Sequence, residues 1–226
     1  MLSKRNLVIF GAGEFAQIAG EYFSYDSEFS VAAFAVDDDW LDQAKQEVGA
    51  SCPVISVEEA NSELDRERTS AFVAIPATGL NSHRMAMVGR VRSMGFTLAT
   101  YVSSRAFVWR NVELGDNCFI FENNVLQPFV KVGDGVIMWS GNHVGHRTVI
   151  EDFAFLTSHV VVSGYCRVGA QSFLGVNATI NDGISIGPRC VIGAGSHVNR
   201  DTEEGRVYVG SPARALSDRS SADVDL

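Results

Sequence analysis

What this chain of 226 residues lacks narrows its possible partners before any motif is read. No apolar run approaches the roughly 18 residues of a membrane span. The opening MLSKRNLVIFGAG has neither the long apolar stretch nor the cleavage site of a secretory leader. A cytoplasmic protein with no membrane insertion is the expectation. Excess positive charge is also missing, since 18 Lys and Arg stand against 27 Asp and Glu, for a net charge of −9. Nucleic acids and anionic membranes demand clustered cations that replace counterions, so neither is an expected partner. Cysteine is scarce: Cys52, Cys118, Cys166 and Cys190 form no CxxC pair and no zinc-type spacing, so free thiols and no bound metal are expected. What is present suits buried cores, with 46% hydrophobic and 20% charged residues, and the length fits two unequal domains.

The second half carries a repeat of six. Counting from Leu114, the ruler lands on Ile120, Leu126, Val132, Met138, Val144, Ile150, Leu156, Val162, Val168, Leu174, Ile180, Ile186, Ile192 and Val198, all aliphatic. If roughly a quarter of positions are aliphatic, such a run by chance is on the order of one in a billion. A second column, four residues behind each aliphatic, contains Cys118, Asn142, Cys166, Ala178 and Cys190 among others and no charge. Three cysteines thus read as small inward fillers. Glycine directly follows the aliphatic at Gly115, Gly133, Gly145, Gly169, Gly175, Gly187 and Gly193, where its tolerance of positive φ suits a corner. Short strands and tight corners at this period describe a three-sided coil of stacked parallel strands.

This pattern resembles the hexapeptide-repeat acyltransferases. The resemblance, not the spacing, implies a left-handed parallel β-helix. The segment VNRDTEEGRVYVGSPARAL that follows resembles the ending with which that family closes its helix. The final SDRSSADVDL is polar and reads as disordered.

The first hundred residues alternate strand and helix. LVIF (7–10), VAAFAV (31–36), AFVAI (71–75) and FTLATYV (96–102) read as strands, and NSHRMAMVGRVRSMG as a helix stopped by Gly95. Such alternation implies a small parallel α/β sheet. Gly11, Gly13 and Ala16 form a G-x-G-x-x-A turn between strand and helix that can bring backbone N–H groups to a phosphate, and Asp37, Asp38 and Asp39 follow the second strand. The expected organisation is a Rossmann-like domain over 1–103, a β-helix with its cap over 104–216 and a tail over 217–226.

A short Rossmann-like domain beginning IFGAG, an acidic cluster and a hexapeptide helix together resemble the sialic acid O-acetyltransferase and bacillosamine or perosamine N-acetyltransferase family. In that family the small domain holds the nucleotide sugar, which implies contacts at Gly11, Ala12, Gly13, Glu14, Asp37 and Asp38, and a substrate contact at Trp139. The turn is one residue shorter than the family's usual GASGHG.

Within Met138–Asp152, MWSGNHVGHRTVIED resembles the family's catalytic coil and gives His146 the position of the general base, with His143 as its alternative. Neutral imidazole, with an unperturbed pKa near 6.5, suits proton removal from a sugar ammonium. Family members often carry a glutamate beside this histidine, whereas here its neighbours are Gly145 and Arg147. His143, Asn142 or a carboxylate from another coil or subunit remain as groups to orient the ring. Acetyl-CoA lies between adjacent β-helices in the family, which implies contacts at Phe155, Gly164, Gly175, Val176, Asn177, Ala194 and Arg214, and a homotrimer. Acetyl transfer to an amino group of a nucleotide-linked sugar is the activity implied. Sugar O-acetylation, a γ-carbonic-anhydrase-like site using His143, His146 and His159, and a non-catalytic scaffold are the competing readings.

Overall fold

The computed structural model describes residues 4–226; residues 1–3 of the expected first domain lie outside them. Two compact units emerge, one of residues up to 76 with 86–101, the other of 77–85 with 102–226. A single cut after residue 103 therefore misses a detour: the chain passes between units three times.

In the α/β unit, β1 (Arg5–Phe10), β2 (Phe29–Val36), β3 (Val54–Ser56) and β4 (Thr69–Val73) form a parallel sheet in the order β3-β2-β1-β4. Leu7, Val8, Ile9 and Phe10 are wholly buried, as a strand covered on both faces must be. Helices α1 (Glu14–Tyr25), α2 (Leu41–Val48) and α3 (Val57–Glu63) connect the strands. Phe23 of α1 meets Phe29, Phe72 and Tyr101 ring to ring, and the Tyr101 hydroxyl donates to Asp26 Oδ2 at 2.6 Å. The fourth strand expected at 96–102 is not one. Only an isolated bridge joins Leu98 to Ala71, and Tyr101–Val102 pairs instead into a β-helix sheet. The missed strand, β3, has three residues, too few for alternation to register.

The second unit is a parallel β-helix of two-residue strands in three sheets. Each strand pairs with the one eighteen residues later, as Lys131 with Val149 and Ile137 with Phe155. Three steps of the six-residue ruler make one coil. Every ruler aliphatic from Ile120 to Val198 is buried in one continuous core with Cys118, Cys166 and Cys190. Burial pushes the Cys118 thiol up to about 12, so it stays protonated and inert. These stacked sheets fit a left-handed β-helix.

The corner glycines work differently from the expectation. Positive φ falls two positions later, at Asn117, Asn123, Phe129, Gly135, Gly141, Arg147 and onward at every sixth residue. The glycines directly after the aliphatics answer to space: a Cβ on Gly145 would lie 2.5 Å from the Gly164 nitrogen, and one on Gly169 2.5 Å from the Pro188 nitrogen. The next coil passes too close for any side chain.

The outward residues differ by face. The first face, with Glu113, Lys131 and Arg167, is charged. On the second, Phe119, Ile137, Phe155 and Val191 are buried. The third leaves Phe107 and Val161 exposed beside His143, Thr179 and His197.

Residues 77–85 belong to the β-helix unit because two side chains bind them to its corners. The wholly buried Arg84 donates from Nε to the Gly135 carbonyl and from Nη2 to the Phe153 carbonyl and Asn81 Oδ1, each at 2.9 Å. Asn81 Nδ2 donates to the Gln171 carbonyl at 3.0 Å. Gly135, Phe153 and Gln171 are the same corner on three successive coils. Burial lowers the Arg84 guanidinium to about 9.

At the far end, Arg206–Gly210 adds to the second-face sheet and Ala213–Ser220 pairs back on it antiparallel. The tail over 217–226 is therefore not disordered. Its strand runs to Ser220, a capping box joins Ser220 to Asp223, and Leu216, Val224 and Leu226 pack against buried Leu80, Val191 and Val207. The tail's polar composition concealed two apolar anchors, Val224 and Leu226.

Gly169→Ala is expected to destabilise the protein by about 1–3 kcal/mol through overpacking. Gly89→Ala, in helix α4 (Ser82–Ser93) with nothing within 4 Å of the added Cβ, is expected to be stabilising by about 0.5–1 kcal/mol. Thermal unfolding of the two variants checks both signs.

Candidate active site

The third face of the β-helix has two edges, and the predicted residues divide between them. His146 and Gly164 lie at the corner leaving this face, directly after the strands His143–Val144 and Val161–Val162. Trp139, His159, Val176, Asn177 and Ala194 lie at the corner entering it from the second face. Within one chain these groups stand on opposite edges of a sheet.

His146 is exposed and its ring is held. Its backbone N–H donates to Gln127 Oε1 at 2.9 Å, and ring Nδ1 lies 3.3 Å from that same oxygen. Tyr165 meets the imidazole edge-on, with centroids 5.0 Å apart. A Cβ on Gly164 would fall 2.7 Å from His146 Cε1, so the glycine leaves the ring its seat. Of the expected orienting groups, neither Asn142 nor His143 makes this contact. Asn142 is buried in the coil ladder, donating to the Trp139 carbonyl and accepting from the Val160 N–H. His143 faces outward from the strand, half-exposed, with Val125 and Val161 as its ladder neighbours. Arg147, where family members often have glutamate, turns its guanidinium onto the Phe129 ring at 4.5 Å. Gln127 was missed because it is remote in sequence, yet a coil of eighteen residues puts it one place from directly beneath His146.

At two of the implied cofactor contacts the backbone N–H is already bonded within the chain. Phe155 lies on the second face, not at either edge of the third. Its side chain is 5% exposed, stacked on Phe173 at 5.5 Å, and its N–H is bound to the Ser172 carbonyl. It has neither surface nor amide to offer. The Gly164 N–H is likewise engaged, by Asp182 Oδ1 at 2.8 Å. Gly175 lacks a side chain for the reason given above, its absent Cβ lying 2.5 Å from the Ala194 nitrogen. Val176, Asn177, Ala194 and Arg214 are exposed, as a ligand contact requires. Trp139 is half-buried and stacks on Phe121 at 4.5 Å.

In the α/β unit the glycine turn and the acids meet at one sheet edge, because β1 and β2 are parallel neighbours. Gly11 has φ of 118°, and a Cβ there would sit 2.8 Å from the Ala74 carbonyl oxygen, so only glycine fits. Ala12 is buried, and Gly13 begins α1 without a side-chain cap. Glu14 occupies its first turn, where its charge competes with that of a phosphate. Asp37 is held by Arg90, which also bonds Glu58 at 2.7 Å, while Asp38 stays exposed. Arg90 was not foreseen; it lies 53 residues from its partner.

Hollows of about 640 and 560 Å³ lie along the first face and beside residues 79–85, and His146 lines neither. Among the described residues no group of His, Cys, Asp and Glu is arranged to hold a metal. No helix among them is long and apolar enough to cross a membrane.

Residues 165–200 match the model of the hexapeptide repeat of succinyl-transferase. The chain carries a hexapeptide repeat and is similar in fold to sugar acetyltransferases. A histidine-to-asparagine variant of perosamine N-acetyltransferase from Caulobacter crescentus, in complex with CoA and GDP-perosamine, matches 94% of this chain and 97% of its own at TM-score 0.84 and 27% identity. The acetyltransferase domain of PglB from Neisseria gonorrhoeae, in complex with acetyl coenzyme A, shares the fold at TM-score 0.81 and 24% identity, over 94% of this chain and all of its own. Mitochondrial gamma carbonic anhydrase 1 of Arabidopsis thaliana is 30% identical over 131 residues, which are 51% of this chain and 47% of that protein. The chain spans less than half the length of the first curated relatives it matches.

Gly164→Ala is expected to drive the His146 ring off its seat and away from Tyr165. The loss of the ring-current shift on the His146 Hε1 proton, read by NMR, checks this; an unmoved signal contradicts it.

Proposed function

We propose that this protein is a cytoplasmic acetyl-CoA-dependent N-acetyltransferase acting on the amino group of a nucleotide-linked amino-deoxy sugar, with His146 as general base. The observation that carries the reading is an exposed, oriented imidazole on a fold matched almost end to end by a sugar N-acetyltransferase in complex with CoA and a GDP-sugar. The neutral ring takes a proton from the sugar ammonium, and the freed amine attacks the thioester carbonyl. When the tetrahedral intermediate collapses, the C–S bond breaks and the thiolate receives the proton back from the imidazolium. Fixed backbone N–H groups at the coil corners are suited to the developing oxyanion.

A homotrimer belongs to this reading. His146 and the exposed Val176, Asn177 and Ala194 stand on opposite edges of one face, so a site that uses both draws its edges from two copies. Exposed Phe107 and Val161 on that face, with Trp109, Phe129, Tyr165 and Val176 at its edges, supply apolar surface for such an interface. Arg214 would meet a CoA phosphate, and the turn over Gly11–Glu14 with Asp37 and Asp38 would hold the nucleotide sugar. Arg90 keeps the Asp37 carboxylate in place for that contact.

The gamma carbonic anhydrase match favours one other reading, a zinc hydratase assembled from His143, His146 and His159. Metal content of the purified protein, with a CO2 hydration assay, separates the two; the transferase reading expects neither stoichiometric zinc nor hydration.

His146→Ala is expected to lower acetyl transfer 100-fold or more, followed as CoA thiol release, while trimer formation and sugar binding persist. Residual activity above about a tenth transfers the base role elsewhere. Asp37→Ala is expected to weaken the nucleotide sugar about tenfold or more, the cost of a charged hydrogen bond. Its acetyl-CoA affinity stays constant by titration calorimetry. A panel of UDP-, GDP- and dTDP-linked amino sugars identifies the acceptor.

A further inference from the structure

We propose that Gln127 is the positioning residue that fixes His146 as its Nδ1–H tautomer and leaves the Nε2 lone pair to take the proton. A backbone N–H can only donate. The Gln127 atom 2.9 Å from the His146 nitrogen is therefore the carbonyl oxygen and not the amide NH2 group. That oxygen also lies 3.3 Å from ring Nδ1. It carries no proton, so the contact is attractive only when Nδ1 does. Neutral imidazole has one N–H, and the other nitrogen is then the base.

Gln127 is itself held by the coil chemistry. It directly follows the strand Val125–Leu126, and at the equivalent place after Val149–Ile150, Glu151 Oε2 accepts from the Ala170 N–H at 2.9 Å. Both side chains cap the coil above through an N–H nineteen residues on. In Gln127 one oxygen does two things, capping the coil and orienting the ring. A half-turn of the imidazole would set a carbon against that oxygen and lose the bond. Gly164 above the ring and Tyr165 at its edge confine the plane in which Nδ1 meets its acceptor.

The inference depends on the transferase reading for its kinetic arm alone. In the full-length protein labelled with 15N-histidine, long-range 1H–15N spectra above pH 8 are expected to give His146 the Nδ1–H pattern. In Gln127→Leu the pattern is expected to shift towards Nε2–H, and in Gln127→Glu, which keeps an acceptor oxygen, to stay Nδ1–H. With acetyl-CoA and an accepted amino sugar, kcat is expected to fall about tenfold or more in Gln127→Leu. KM for acetyl-CoA stays within about twofold, and Gln127→Glu recovers most of the rate. An Nε2–H pattern in the wild-type protein overturns the proposal, as does a Gln127→Leu spectrum that keeps Nδ1–H. A locked Nδ1–H tautomer in a protein that transfers no acetyl group upholds the positioning and sinks the transferase reading instead.

Discussion

The coils of the second unit, from Phe107 to Val198, depend on one registration: residue i of a coil hydrogen-bonds beside residue i+18 of the next, on all three faces and without slippage. That constancy stacks each aliphatic on its equivalent and brings successive corners within contact of one another. It also sets the chemistry. Gln127 reaches His146 and Asp182 reaches the Gly164 N–H because side chains near a corner lie next to the backbone one coil away. Functional geometry here is a by-product of the pitch.

The same registration explains which parts were legible. Fifteen aliphatics at constant spacing reveal a coil because burial repeats with the backbone, and fourteen of them, from Ile120 on, are buried. His146 is singled out by its coil motif, and it stands exposed on an edge. Its partner was not, because the notion of a neighbouring residue follows the chain, whereas the contact follows the stack. The place of Phe155 on the second face was hidden for a related reason: the order of residues does not say which face of the prism a corner adjoins. Gly145 and its equivalents look like turn residues, yet steric room is what they supply, and asparagine, phenylalanine, arginine or tyrosine adopts the left-handed conformation nearby.

The α/β unit was read less completely. Long buried strands such as β1 and β2 proclaim themselves through runs of apolar residues, while β3 has three residues and borrows its stability from β2. Ion pairs such as Asp37 with Arg90 join residues that only folding brings together. The acidic loop consequently looks solvated in the sequence and is partly anchored in the fold.

The corner bound by Arg84 and Asn81 bears on modularity. Leu80 packs with Val191 and Val207, and the Arg84 guanidinium lies over the Phe155 ring, so nine residues interrupting the α/β unit are an integral panel of the prism wall. A prism excised at residue 102 would be stripped of that panel, its aromatic flank bared to water and three corner carbonyls without their donors. Exchange of the α/β half between such proteins therefore cannot occur by a single crossover. A viable graft must carry the panel with the prism, which ties the inheritance of nine residues of the first half to that of the coils.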